Sequence, residues 1–136
     1  MVMYESIAKI LFSFFPEIQA AYLFGSFGTE FERDESDIDV AILLPPVLIN
    51  NDCHEVIVAC SSQLALTLGK SIDLVNLRLV DTVFQYRILE TGRLVLCADS
   101  NAKQLFELIT VLKHLKLQEE RKIILDAIIK SNRILA

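Results

Sequence analysis

Hydrophobic residues recur along the chain in two rhythms, and their alternation predicts helices interleaved with short strands. Ile7, Ile10, Leu11 and Phe14 fall on one side of a helix that Pro16 stops. Residues 20–24, Ala-Ala-Tyr-Leu-Phe, read as a short buried strand ended by Gly25-Ser26. Residues 36–44 combine period-two patterning with an apolar run, which predicts a second strand closed by Pro45-Pro46. Val56, Cys60, Leu64 and Leu68 stripe a helix over 51–68, with Gly69 at its stop. A third strand covers 71–77, a short helix 81–90 starts at Asp81 as N-cap and stops at Gly92, and a fourth strand covers 93–97. From 102 to 133, helix formers carry apolar residues at three- and four-residue intervals, notably Leu105, Ile109, Leu112, Ile124, Ile128 and Leu135. That pattern predicts one long or kinked helix, or two packed ones. The fold class is α/β (α+β): a small mixed sheet of about four strands with helices packed on it.

At 136 residues the chain has the length of one domain, expected to span 1–136 with a core at about 18–97 and a C-terminal helical segment at about 101–135. Its hydrophobic fraction of 53% is high, but the apolar runs are far shorter than the ~20 residues a membrane helix requires. The apolar run at 10–15 lacks a basic leader and a small-residue cleavage site, and Glu5 precedes it, so a cytoplasmic address is expected. Cys53, Cys60 and Cys97 fit neither a disulfide framework nor a zinc knuckle and read as reduced core residues. The net charge of -5 argues against a dedicated nucleic-acid binder, but it is uneven. Residues 1–100 hold 6 Lys/Arg against 14 Asp/Glu, whereas 101–136 hold 7 against 4.

The chemistry-bearing stretch runs from Gly25 to Asp39. In an extended strand, residues i and i+2 share a side, so Asp37 and Asp39 project their carboxylates in parallel, with Cα atoms roughly 6.5 Å apart. Two such anions repel each other, and a hard divalent ion relieves the conflict. Oxygen-only ligands favour Mg²⁺ or Mn²⁺ over zinc, with the rest of the shell taken by water and substrate phosphate. Asp73 interrupts the otherwise apolar third strand and is the best candidate for a third carboxylate, able to hold a second ion and to serve as the base. Gly25-Ser26 ends the strand expected beside Asp37 and Asp39, where backbone amides and a hydroxyl can approach a triphosphate. As a turn after any strand the Gly-Ser pair would be unremarkable; its spacing to Asp37-Ile38-Asp39 gives it weight.

Gly-Ser followed ten residues later by Asp-x-Asp inside Ser36-Asp37-Ile38-Asp39-Val40 resembles the minimal nucleotidyltransferases (MNT) of the polymerase-beta superfamily. The resemblance covers roughly 18–97, including the Asp73 strand and the stretch 87–96. It implies a polymerase-beta-like nucleotidyltransferase fold. It also implies a triphosphate held by Gly25 and Ser26, metal bound by Asp37 and Asp39, and a triad completed by Asp73, with Mg²⁺, two ions, as cofactor and ATP as substrate. Many members resemble antitoxins paired with a HEPN ribonuclease toxin, which they silence by attaching AMP to a tyrosine, a type VII toxin–antitoxin arrangement. The implied partner is then a cognate HEPN toxin, with no direct nucleic acid and no membrane, and with homo- or hetero-oligomers open. Where many relatives read Gly-Ser-x-Ala-Arg-Gly, this chain has Gly28-Thr29-Glu30, losing a cation and gaining an anion near the phosphates; Arg33 stands where a second arginine often precedes the motif.

Other residues are read more plainly. Arg87 and Arg93 are helix-end or surface charges within reach of a phosphate or a partner. His54 and His114 have no ligand pattern around them, so neither is expected as the base. Phe12, Phe14, Phe15 and Phe24 read as core, and one of Phe27 and Phe31 is placed near the nucleotide. Lys113, Lys116, Arg121, Lys122, Lys130 and Arg133 make a basic tail, a solvated or partner-docking face. Against the enzyme stands a rival of another class: a catalytically weak or inactive module that neutralises a toxin by binding. Transfer to a small molecule such as an aminoglycoside is a third reading, disfavoured because the chain has no room for a substrate domain.

Overall fold

A computed structural model describes residues 2–25, 37–48 and 53–135. The elements run α1 (Val2–Phe14), β1 (Ala20–Phe24), β2 (Ile38–Leu43), a 3-10 turn at Pro46–Leu48, α2 (His54–Leu68), β3 (Ile72–Asn76), α3 (Thr82–Thr91), β4 (Arg93–Cys97) and α4 (Ser100–Leu135). The strands form one mixed sheet in the order β3-β2-β1-β4. β1 is antiparallel to β2 and β4, while β2 and β3 are parallel, joined by the α2 crossover.

Strand alternation gives the sheet two apolar faces, which is why β2 reads as a near-continuous hydrophobic run. On one face Ala21, Leu23, Ile38, Val40, Ile42 and Leu74 pack under Ile7 and Leu11 of α1 and Cys60 and Leu64 of α2. On the other, Ala20, Tyr22, Ala41 and Leu43 pack under Ile88 of α3 and Phe106 of α4. Tyr22 also reaches Glu107, which pairs with Lys103 one turn earlier on α4. Burial first, and the Glu107 carboxylate second, push the Tyr22 hydroxyl well above its ordinary range, so it stays a neutral donor to that carboxylate.

At the far end of the sheet Arg78 acts as a staple. Its guanidinium donates to the Leu44 carbonyl and, at 2.8 Å, to Gln19 Oε1, and it lies 5.3 Å from the centre of the Phe106 ring. Asp81 caps α3 by accepting from the Phe84 amide at 2.8 Å. Gly92 ends that helix in an extended rather than left-handed conformation, and a Cβ there would stand 2.4 Å from the Ile88 carbonyl oxygen.

The C-terminal segment takes one of its expected forms, a single helix of 36 residues, along which Leu105, Ile109, Leu112, Ile124 and Ile128 are exposed. The core readings of Phe12 and Cys97 are corrected, since both are exposed, and so is Val56 at the start of the α2 stripe. All three cysteines are free, but only Cys60 belongs to the core. Among the described residues no helix is long and apolar enough to cross a membrane.

Truncating Ile42, fully buried at the centre of β2, should lower stability by about 2–5 kcal/mol, whereas Leu66→Ala on the exposed side of α2 should stay within about 0.5 kcal/mol. Chemical denaturation of the two variants checks the contrast.

Candidate functional site

The parallel ladder between β2 and β3 decides the site. Its register places Asp39 directly opposite Asp73, followed by Val40 with Leu74 and Ala41 with Val75. Register partners on neighbouring strands share a face and lie roughly 5 Å apart, so the two carboxylates stand side by side on the face that α3 and α4 partly cover. Asp37 does not fall inside the strand. It sits one residue before β2, exposed, where the Ile38 amide donates to the Ser71 carbonyl at 2.9 Å and begins the ladder.

The electrostatics show the three acids acting on one another. Partial burial, then the Asp73 carboxylate, then the Asp37 carboxylate hold the Asp39 acid above its ordinary range. Asp39 is the half-buried centre of the group, while Asp37 and Asp73 are exposed on either side of it. An oxygen-only set of this kind suits a hard divalent cation and not zinc. Among the described residues no three His, Cys, Asp or Glu side chains close into a ready metal cage. The remaining ligands of an ion here would have to be water and substrate oxygens, which is the shell magnesium prefers.

On the other side of β2, Phe24 of β1 is the register partner of Asp39, and Gly25 follows it with a φ of 78°. A Cβ on Gly25 would stand 2.1 Å from Asp39 Oδ2. The strand-ending glycine therefore takes a left-handed turn and also leaves the space that the central carboxylate occupies. Sequence reasoning found Gly25 as part of a phosphate turn and missed this second role, because it depends on the β1–β2 register. Phe24, assigned to the core, is half-buried and meets the Phe84 ring edge-on at 5.7 Å, walling the site beside Asp39. Ser26, Phe27, Phe31, Arg33 and the Gly28-Thr29-Glu30 departure lie outside the described residues.

Arg87 lies in a shallow cleft of about 210 Å³ with Asp81, Val83 and Phe84. Arg93 opens β4 opposite Leu23. His54 is exposed at the start of α2, and His114 stacks on Tyr86 with ring centroids 3.7 Å apart, tying α4 to α3. A larger cavity, about 520 Å³, opens at the opposite end of the sheet among Gln19, Arg78, Gln85, Phe106, Thr110 and Lys113. It has size but no acids, so chemistry rather than volume points to the aspartates.

The family described as Polymerase beta, Nucleotidyltransferase matches residues 5–101. The protein adenylyltransferase MntA of Shewanella oneidensis is 33% identical over 122 residues, covering 90% of this chain and 84% of its own. A toxin–antitoxin crystal structure with AMP-PNP superposes with a TM-score of 0.75 at 28% identity, over 93% of this chain and 98% of the other. The tri-AMPylated Shewanella oneidensis HEPN toxin in complex with MNT antitoxin gives 0.72 at 28% identity, over 94% and 97%. With a match across more than half its length and a backbone shared nearly end to end, this chain belongs to the polymerase-beta nucleotidyltransferase family, in the minimal group that includes MntA.

Proposed function

We propose that this nucleotidyltransferase moves AMP from ATP to a hydroxyl, a tyrosine of a cognate HEPN toxin, and acts as the antitoxin of the pair, in the cytoplasm. The observation that carries the proposal is the Asp39–Asp73 register, with Asp37 at the strand entry and Gly25 leaving room for the central carboxylate. Support comes from relatives whose names join an adenylyltransferase, an ATP analogue and an AMPylated toxin. Residues 1–136 act as one nucleotidyltransferase domain, its core at 18–97 carrying the site and its helical segment at 101–135 meeting the sheet's second face through Phe106.

In the reaction the acceptor hydroxyl oxygen attacks the α-phosphorus of ATP, the bond from that phosphorus to the bridging oxygen breaks, and pyrophosphate leaves. Asp73, the exposed acid beside Asp39, takes the hydroxyl proton. Gly25 and Ser26 cradle the triphosphate at the end of β1. Asp37, Asp39 and Asp73 would hold Mg²⁺, two ions, whose charge would offset that of the leaving pyrophosphate and of the attacking hydroxyl. The rest of catalysis is positioning. The rival, neutralisation by docking alone, draws on the charge reversal at Gly28-Thr29-Glu30. Co-expressing the toxin with an Asp39→Ala variant separates the two, since a docking module still protects the cell.

Intact mass of the toxin after incubation with this chain, ATP and Mg²⁺ should rise by whole AMP units. Asp37→Ala or Asp39→Ala should cut the rate by about 10²–10³-fold or more while leaving the fold intact. An unmodified toxin with the wild-type chain would sink the assignment.

Gly25→Ala forces a side chain into the left-handed region, costing about 1–2 kcal/mol, and displaces the Asp39 carboxylate. Transfer should therefore fall much further than stability does, a split read by comparing kcat with the melting temperature.

Asp39 binds its proton more tightly in the folded chain than in the unfolded one, so its ionisation opposes folding. The penalty is absent below the ordinary carboxylate range and grows as pH rises through the raised folded value. In metal-free buffer Asp39→Asn should melt above wild type at neutral pH, with the gap closing on acidification. Adding Mg²⁺ should raise the wild-type melting temperature and leave that of the variant unmoved.

A further inference from the structure

α4 uses one face for two purposes. Positions 106, 110 and 114 lie on that face, where Phe106 and Thr110 are buried and His114 stacks on Tyr86 of α3. Continuing at helical spacing, the same face presents Leu117, Arg121, Ile124 and Ile128. From 115 to 132 every residue is exposed, so for roughly 27 Å the helix runs on with none of the described residues covering it. On that face Leu117, Ile124 and Ile128, with Leu125 beside them, leave large apolar side chains in solvent.

We propose that this distal arm of α4 is the docking element for the acceptor protein, an inference that rests on the transfer reaction proposed above. Two observations choose the acceptor over other occupants. The first is position: Asp39 faces Phe24, Phe24 meets Phe84, Phe84 shares a cleft with Arg87, and Arg87 shares the next, of about 360 Å³, with His114 and Gln118 at the root of the arm. A protein seated under the arm is thus held along the side from which the aspartates are reached. The second is charge: Lys116, Arg121, Lys122 and Lys130 outnumber Glu119, Glu120 and Asp126 along the arm, whereas the catalytic body is acidic. The arm therefore suits an apolar surface with an acidic rim, one that the body alone would repel.

The test titrates the full chain against its cognate HEPN toxin, ribonuclease silenced, by calorimetry. An Ile124→Glu/Ile128→Glu double variant should weaken toxin binding at least tenfold and raise KM for the toxin, with KM for ATP and the helical circular dichroism unchanged. The milder Ile124→Ala/Ile128→Ala pair should move the same way by a smaller factor, and Leu66→Glu on α2 should change nothing. Wild-type affinity in the double variant overturns the docking role while leaving the transfer reaction standing. So does light scattering that finds a wild-type dimer split by the variant with toxin affinity kept, which assigns the stripe to a second copy. Conversely, tight binding without AMP transfer by the wild-type chain tells against the chemistry and not against the arm.

Discussion

Repulsion among carboxylates fixed on adjacent strands is the constraint around which this molecule is arranged. Asp39 is locked by backbone hydrogen bonds into register with Asp73, and Asp37 sits two residues back at the strand entry. Neither Asp39 nor Asp73 can move away without breaking the ladder that places it. The cost shows on Asp39, whose proton affinity is raised by burial and by both neighbours. A site that opposes its own ionisation when empty is one that favours a cation when the substrate arrives. Stability and function therefore pull in opposite directions at this point of the fold.

The rest of the architecture keeps that arrangement rigid. β2 is central enough to be buried on both faces, with α1 and α2 covering one side and α3 and α4 the other. Its C-terminal end is held by the Arg78 staple to Leu44 and Gln19, while the acids occupy its N-terminal end. β1 contributes the wall and the turn: Phe24 braced by Phe84, then Gly25, whose missing side chain is the volume into which the Asp39 carboxylate fits.

What the sequence made legible follows from how local each signal is. Strands β1 and β4 were readable to the residue, since turn formers bracket them and nothing distant is needed to define them. The Asp37-Ile38-Asp39 pairing was visible for the same reason: a two-residue period fixes the side without reference to the rest of the chain. Asp73 could be nominated as an acid in an apolar strand, but its alignment with Asp39 is a property of the parallel register, which no local pattern encodes. Gly25's second role was hidden with it. The α4 segment is a different case. Its periodicity is real, yet periodicity tells which residues share a face and not whether anything lies under that face, and Ile124 and Ile128 stand in solvent.

The central claim is that Asp37, Asp39 and Asp73 form a single cation-binding group. Anomalous diffraction from crystals of the chain grown with Mn²⁺ and a non-hydrolysable ATP analogue tests it most directly. The account predicts strong manganese peaks among these three carboxylates and the triphosphate, beside the Gly25 turn. Manganese and nucleotide bound elsewhere, for instance in the cavity near Arg78, with the three acids left uncoordinated, would contradict it.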